Sequence, residues 1–230
     1  MSSQIILFIF IGLTIFNFLF TTVLEYLNDK NWKDSIPNDL KGFYDIEKYQ
    51  KAKTYKIDRG KISLLSSSIS LILTLLMLYF FGFGLISEYA VSLSDSVIVQ
   101  SCIFFMIFHL LTTLIGIPFN YYSTFVIEEK YGFNKTTIKT YIVDKIKGFI
   151  VSSLFIIVLT SLAVLAIEYF SSGFWLWLWI GLSLFMVFLN MFYADLIVPI
   201  FNKLTPLENG ELRSKIESYS KKVGYSLKNI

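Results

Sequence analysis

One cysteine and one histidine among 230 residues leave little room for familiar chemistry. The lone Cys102 excludes a disulfide framework and a CxxC site. The lone His109 excludes an HExxH helix; zinc normally takes three or four ligands, and no second imidazole exists here. No Gly-rich phosphate loop or GxSxG elbow is present, so the chain holds no recognisable catalytic constellation. Charge is missing in a more telling way. Asp, Glu, Lys and Arg are absent from residues 1–24, 62–87, 96–127, 148–167 and 169–194. Each gap is close to the roughly 20 apolar residues that cross a ~30 Å hydrocarbon core as a helix. One such run could be a buried helix of a soluble protein; five could not. With 55% hydrophobic and 16% charged residues, the composition agrees. The expected fold is all-α: a polytopic membrane protein with five transmembrane helices, interfacial amphipathic helices and a partial soluble C-terminal segment.

What charge there is sorts by side. The 20 basic residues fall in three groups: nine in residues 25–61, five in 121–147 and six after Pro199. The N-terminal tail and the loops near residues 87–95 and 168–173 have none. Positive charge marks the cytoplasmic side, so the N-terminus is expected outside or lumenal and the C-terminus cytosolic. The first run lacks a basic n-region and a small-residue cleavage site, and reads as an anchor rather than a signal peptide. The net charge of +3 is spread over loops that also carry acids. Anionic lipid headgroups explain it better than nucleic acid, which is not an expected partner.

Between the first two runs lies "EYLNDKNWKDSIPNDLKGFYDIEKYQKAKTYKIDRGK". Ile46, Tyr49, Ala52 and Tyr55 recur there at near-helical spacing, which predicts an amphipathic helix at the membrane surface. The third run would measure ~43 Å over residues 96–124. It must tilt, kink at Gly116 and Pro118, or project. Gly132 is the natural stop and Asn134 the expected cap of the next helix. Ile138, Tyr141, Ile142, Ile146 and Phe149 then predict an interfacial helix feeding the fourth span. Asn134-Lys135-Thr136 matches the glycosylation pattern, but a cytosolic position makes it a chance match. "FWLWLWIGLSL" places an aromatic belt at the outer end of the fifth span. Leu212, Ile216, Tyr219 and Val223 line one face of a short helix ended by Gly224. "YSLKNI" reads as the start of a strand, which cannot stand alone. The pattern therefore predicts that the chain ends inside a domain.

Three polar features compete for a function. His109 falls mid-span, where an ionisable group is a functional candidate by default. The plainer reading is a neutral imidazole hydrogen-bonded to a neighbouring helix. Nineteen residues separate it from Glu128, ~28 Å along a helix, so this pair cannot build a metal site. Glu128 and Glu129 could ligate a metal, act as a base, or mark a solvated helix end. Adjacent helical side chains point about 100° apart, which disfavours a shared metal. A carboxylate at a helix C-terminus opposes the dipole, which suggests a basic partner elsewhere; Lys130 fits the dipole. Asp195 could snorkel to water or contact a polar chamber, and Asn190 could share its surroundings.

The segment "STFVIEEKYGFNKTT" resembles the integral-membrane zinc metallopeptidases of the CAAX prenyl protease type. So does "ADLIVPIFNKLTPLENGELRSKIESYSKKVGYSLKNI", which is similar to that family's link from a membrane helix into its protease domain. "YQKAKTY" is a weaker third match. The resemblance implies an enzyme that removes the last three residues of prenylated CAAX proteins. It implies seven spans around a water-filled chamber, with zinc held by an HExxH motif and a later glutamate. Those ligands follow the point where this chain stops. No zinc or other cofactor is therefore expected in this chain, and zinc is expected in the full-length protein. By the same resemblance, Glu128, Glu129, Lys130, Gly132, Phe133 and Asn134 would form a loop facing the protease domain. Asp195, Pro199, Asn202, Lys203 and Pro206 would form the hinge into it. Residues 1–200 would be the membrane domain and 201–230 the start of the peptidase domain. The implied partners are the bilayer, that C-terminal domain and a prenylated substrate, in the endoplasmic reticulum or a bacterial inner membrane. The competing reading is a non-catalytic membrane protein: a pseudopeptidase, scaffold or transporter.

Overall fold

A computed structural model describes residues 2–36, 42 and 45–227. Among these residues, seven helices longer than ten residues follow one another: α1 (Ser3–Lys30), α2 (Ile46–Tyr79), α3 (Gly82–Leu93), α4 (Val97–Tyr122), α5 (Ile138–Phe170), α6 (Phe174–Phe192) and α7 (Glu211–Val223). No strand occurs among the described residues; residues 225–227 are irregular and residues 228–230, the rest of the expected strand, lie outside them. Among the described residues, five helices are long and apolar enough to cross a membrane: α1, α2, α4 with its extension to Tyr131, α5, and α6 with its extension to Phe201. The chain is an integral, multi-pass membrane protein.

Two compact units divide the chain, one reaching to Trp175 and the other beginning at Leu176. In the first, α4 packs most extensively along α5, α3 lies against α4, and α1 pairs with α2. Most large apolar side chains face outward, as expected where lipid is the solvent (Phe8 is 68% exposed). Buried apolar side chains are few, and two of them, Ile127 and Tyr131, sit at the end of the long third span.

The amphipathic stretch from Ile46 is continuous with the second span. One 34-residue helix contains both, because the 3.6-residue period never breaks and Gly60 alone does not stop it. The same holds for α5, whose first turns are the amphipathic segment after Gly132. The charge-free run at 62–87 is not one helix. It ends at Tyr79, and Phe81 adopts a left-handed conformation (φ 59°) before α3 begins. The bend is tight: a Cβ at Gly82 would press on Met77, and one at Gly84 on the Phe81 ring. Two small residues are what let the chain turn there. Pro118 lies inside α4, which runs on to Tyr122 and then widens into a π-helical turn, Ser123–Glu128. Such turns are rare and gather at functional sites.

The connection from α1 to α2 is pinned from both sides. Lys53 Nζ meets Asp34 Oδ1 at 2.6 Å and Lys56 Nζ meets Asp29 Oδ1 at 2.7 Å. The Lys56 ammonium also lies 5.1 Å from the Trp32 ring centre. Hydrogen bonding and attraction from Lys53 hold the Asp34 carboxyl below the usual carboxylate range.

Candidate functional site

The glutamate-rich motif builds its own exit from the membrane. Glu129–Tyr131 adds a last turn, and Gly132 closes it with φ 75°. Gly132 N–H donates to the Glu129 carbonyl (3.0 Å) and Phe133 N–H to the Glu128 carbonyl (2.8 Å). That pair of bonds satisfies carbonyls a helix end otherwise leaves open, and the left-handed residue between them favours glycine. Asn134 does not cap the next helix. Its Oδ1 accepts from Thr136 N–H at 2.7 Å, and its Nδ2 donates to Glu129 Oε2 at 3.0 Å. Thr137 takes the capping role, its Oγ1 accepting from Thr140 N–H at 3.2 Å. The reason is reach: residues 133–137 are needed as a non-helical link between the two helix ends.

Against this turn lies the start of α2. Lys130 Nζ and the Tyr131 hydroxyl both donate to Asp58 Oδ2, at 2.7 and 2.9 Å. Arg59 reaches Glu128 Oε1 at 3.7 Å, an ion pair too long to be a good hydrogen bond. Arg59 also donates to the Tyr55 hydroxyl at 3.1 Å. The Tyr55 ring meets Tyr131 edge-on at 5.3 Å and Phe133 at 4.9 Å. Glu128 therefore has a basic neighbour, as its dipole misfit suggested. Tyr55, Asp58, Arg59 and Tyr131 were not singled out from sequence as site residues. For Tyr55, Asp58 and Arg59 the available signal was their helical spacing within "YQKAKTYKIDRG", with Asp58 and Arg59 about one turn beyond Tyr55.

Below the clasp, a cavity of ≈ 520 Å³ runs between α4 and α5. His109 and Thr113 line it deep in α4, Thr124 and Glu128 near its end, and Asp144, Lys145 and Ser152 along α5. The imidazole stacks on Phe149 (4.7 Å between ring centres, 6° between planes), and its Nε2 lies 2.9 Å from Ser152 Oγ. Ser152 has one hydroxyl proton, and the Gly148 carbonyl takes it at 2.7 Å. Ser152 Oγ can then accept from His109 Nε2–H. His109 and Glu128 remain far apart along the helix yet line the same cavity. Among the described residues, no group of three or more His, Cys, Asp or Glu side chains is placed to hold a metal ion. These residues do not fit a zinc site.

In the second unit, Asp195 is exposed within another π-helical turn, Tyr193–Ile197. Asn190 Nδ2 donates back to the Met186 carbonyl at 2.8 Å, which commits its amide to its own helix. Pro199 opens the short helix Val198–Phe201, and Asn202 ends it in an extended conformation, followed by exposed Lys203. In α7, Gly224 repeats the left-handed stop with φ 70°.

These helices define a multi-pass membrane domain whose lysine-rich end carries a polar clasp above a hydrophilic cavity. Residues 25–203 match the family described as CAAX prenyl protease N-terminal, five membrane helices, and the chain belongs to that family. A probable CAAX prenyl protease 1 of Schizosaccharomyces pombe is 35% identical over 212 residues, 86% of this chain and 44% of its own length. The human CAAX prenyl protease 1 homolog is 30% identical over 222 residues, 93% of this chain and 47% of its own. The crystal structure of S. mikatae Ste24p superposes with a TM-score of 0.86 at 31% identity, covering 97% of this chain and 54% of that one. The chain thus spans about half the length of the relatives it matches.

Proposed function

We propose that this chain is the N-terminal membrane portion of a zinc metalloendopeptidase that removes the C-terminal tripeptide of prenylated CAAX proteins. The observation that carries the reading is the family match over residues 25–203, which runs through the whole clasp. The eukaryotic sources of the relatives support a place in the endoplasmic reticulum. Residues 1–200 serve as the membrane domain, and residues 201–230 begin the peptidase domain. Zinc and the general base belong to residues beyond this chain. When bound in the full-length protein, zinc would activate water for attack on a peptide carbonyl.

The residues present do other work. Asp58 and Arg59 fix the turn made by Glu128, Glu129, Lys130 and Gly132, and so present Phe133 and Asn134 in one orientation. We assign that turn to docking the peptidase domain and shaping the chamber mouth. His109 and Ser152 belong to the chamber wall. Asp195, Pro199, Asn202 and Lys203 form the link into the second domain. With one histidine, this chain alone is expected to be inactive.

The coding sequence beyond Ile230 tests the reading. An HExxH motif there, with stoichiometric zinc in the longer product and none in this chain, supports it. A stop codon at that point sinks it in favour of a pseudopeptidase, scaffold or transporter.

A further inference from the structure

The cavity between α4 and α5 differs from its neighbours in charge. Glu128, Asp144 and Lys145 stand in its wall, with His109, Thr113 and Ser152 at the deep end. Two other cavities, ≈ 310 Å³ beside Ser66 and Ser70 and ≈ 430 Å³ beside Cys102, have no charged residue in theirs. The half-buried carboxylates Asp29, Asp58, Glu128 and Glu217 each pair with a lysine or arginine. Asp144 is half-buried too, yet among the described residues it has no ion pair and no hydrogen bond. A carboxylate taken partly out of water without a partner is costly, so its place in the cavity wall calls for a cationic ligand. Glu128, held only loosely by Arg59 at 3.7 Å, adds a second carboxylate. Lys145 supplies the opposite sign, its ammonium 5.4 Å from the Tyr141 ring centre.

Such walls suit a zwitterion with hydrogen-bonding groups between its charged ends. A lipid fits less well: its headgroup could meet the charges, but its acyl chain would lie against His109, Thr113 and Ser152. A short peptide has amides to offer there, and Tyr141 and Phe149 give its side chains apolar faces. Three residues span at most ~11 Å, and Asp144 to Ser152 along α5 is ~12 Å. A volume of ≈ 520 Å³ lies within the roughly 300–1,000 Å³ of small-ligand sites. On the enzyme reading proposed above, on which this rests, hydrolysis breaks the amide bond after the prenylated cysteine. The hydroxyl of water goes to the cysteine carbonyl and its proton to the leaving nitrogen. In the uncut protein that nitrogen is a neutral amide. In the freed tripeptide it is an α-amine, which takes up a further proton from solvent at neutral pH. We propose that the cavity holds this released tripeptide, its new α-ammonium on Asp144 and Glu128 and its carboxylate on Lys145. The site thereby separates product from uncut protein.

Calorimetric titration of the purified chain in a neutral detergent tests this, with the tripeptide Val-Ile-Met as the probe. Acetylating its amine, or amidating its carboxylate, should each weaken binding about tenfold, the loss of one charge-assisted contact. Asp144→Asn should weaken the free peptide by a similar factor and leave the acetylated one unchanged. Lys145→Gln should weaken the free acid and leave the amide unchanged. A merely structural effect of either substitution would not follow the charge of the peptide. Both variants should keep the parent Tm without peptide. No binding at millimolar peptide, or equal binding of the free and acetylated forms, overturns the proposal. So does tighter binding of dioctanoyl phosphatidylethanolamine than of Val-Ile-Met, which would give the cavity to a lipid. The two readings fail separately. An HExxH beyond Ile230 with no discrimination among the peptides overturns this site alone. Discrimination with no HExxH there overturns the enzyme and leaves the peptide site supported.

Discussion

Asp58 and Lys130 are 72 positions apart in the chain and meet at 2.7 Å, joining the first half of α2 to the end of the third span. Tyr131 shares the same carboxylate oxygen. The join has two parts, an exposed ion pair and a buried ring, and they are not equal. Exposed pairs contribute little, while a truncated buried aromatic costs about 3–5 kcal/mol. Tyr131, at 6% exposure, should dominate. Tyr131→Ala should lower Tm strongly, and Asp58→Asn or Lys130→Gln only slightly. A larger drop from Lys130→Gln would mean the ion pair governs the clasp.

Gly132 holds φ 75° with nothing within 4 Å of the position a Cβ would take. The cost of Gly132→Ala is then purely conformational, about 1–2 kcal/mol. Gly132→Asn, which tolerates the left-handed region, should cost less. Thermal melts of the two variants distinguish this from a packing effect, which would rank asparagine worse.

His109 and Ser152 should be coupled. A double-mutant cycle with His109→Ala and Ser152→Ala should give about 0.5–1.5 kcal/mol, the net value of one intramolecular hydrogen bond. A coupling of zero would remove Ser152 as the partner that orients the imidazole.

The Asp34 carboxyl, lowered by Lys53, gives a signed pH dependence. A group whose folded pKa lies below its unfolded value stabilises the fold above the unfolded value. That contribution fades as pH falls through the folded one. Lys53→Gln should return the Asp34 midpoint to the ordinary carboxylate range in a carboxyl carbon NMR titration. An unchanged midpoint would show that Lys53 is not its partner in solution.

Tags after Met1 and Ile230 should report opposite sides of the membrane, as an odd number of spans requires. Both on one side would break the five-span topology.

Much of this was legible in the sequence, for definite reasons. Charge is so costly in hydrocarbon that five charge-free runs locate five spans. Gly132 after Glu-Glu-Lys-Tyr marks a helix stop, because few other residues accept the left-handed conformation. Less legible was anything set by long-range packing. Asn134 and Thr137 are both good caps, and only the link required between two helix ends decides for Thr137. The break at Phe81 carries no proline and no charge; it depends on how closely Met77 and Phe81 pack on two glycines. Linear distance kept His109 and Glu128 apart, yet the gap between α4 and α5 gives them one cavity. The partners of the glutamate motif, Asp58 and Arg59, were hidden for the same reason: nothing local says which helix start will face which helix end.

The most direct test of the central claim is release of the C-terminal tripeptide from a farnesylated CAAX peptide. The full reading frame that contains this chain should be assayed beside the chain alone, each reconstituted in liposomes with zinc. The account predicts zinc-dependent release by the full-length protein, lost with a chelator, and none by this chain. Release by this chain alone, or none by the full-length protein, would contradict it.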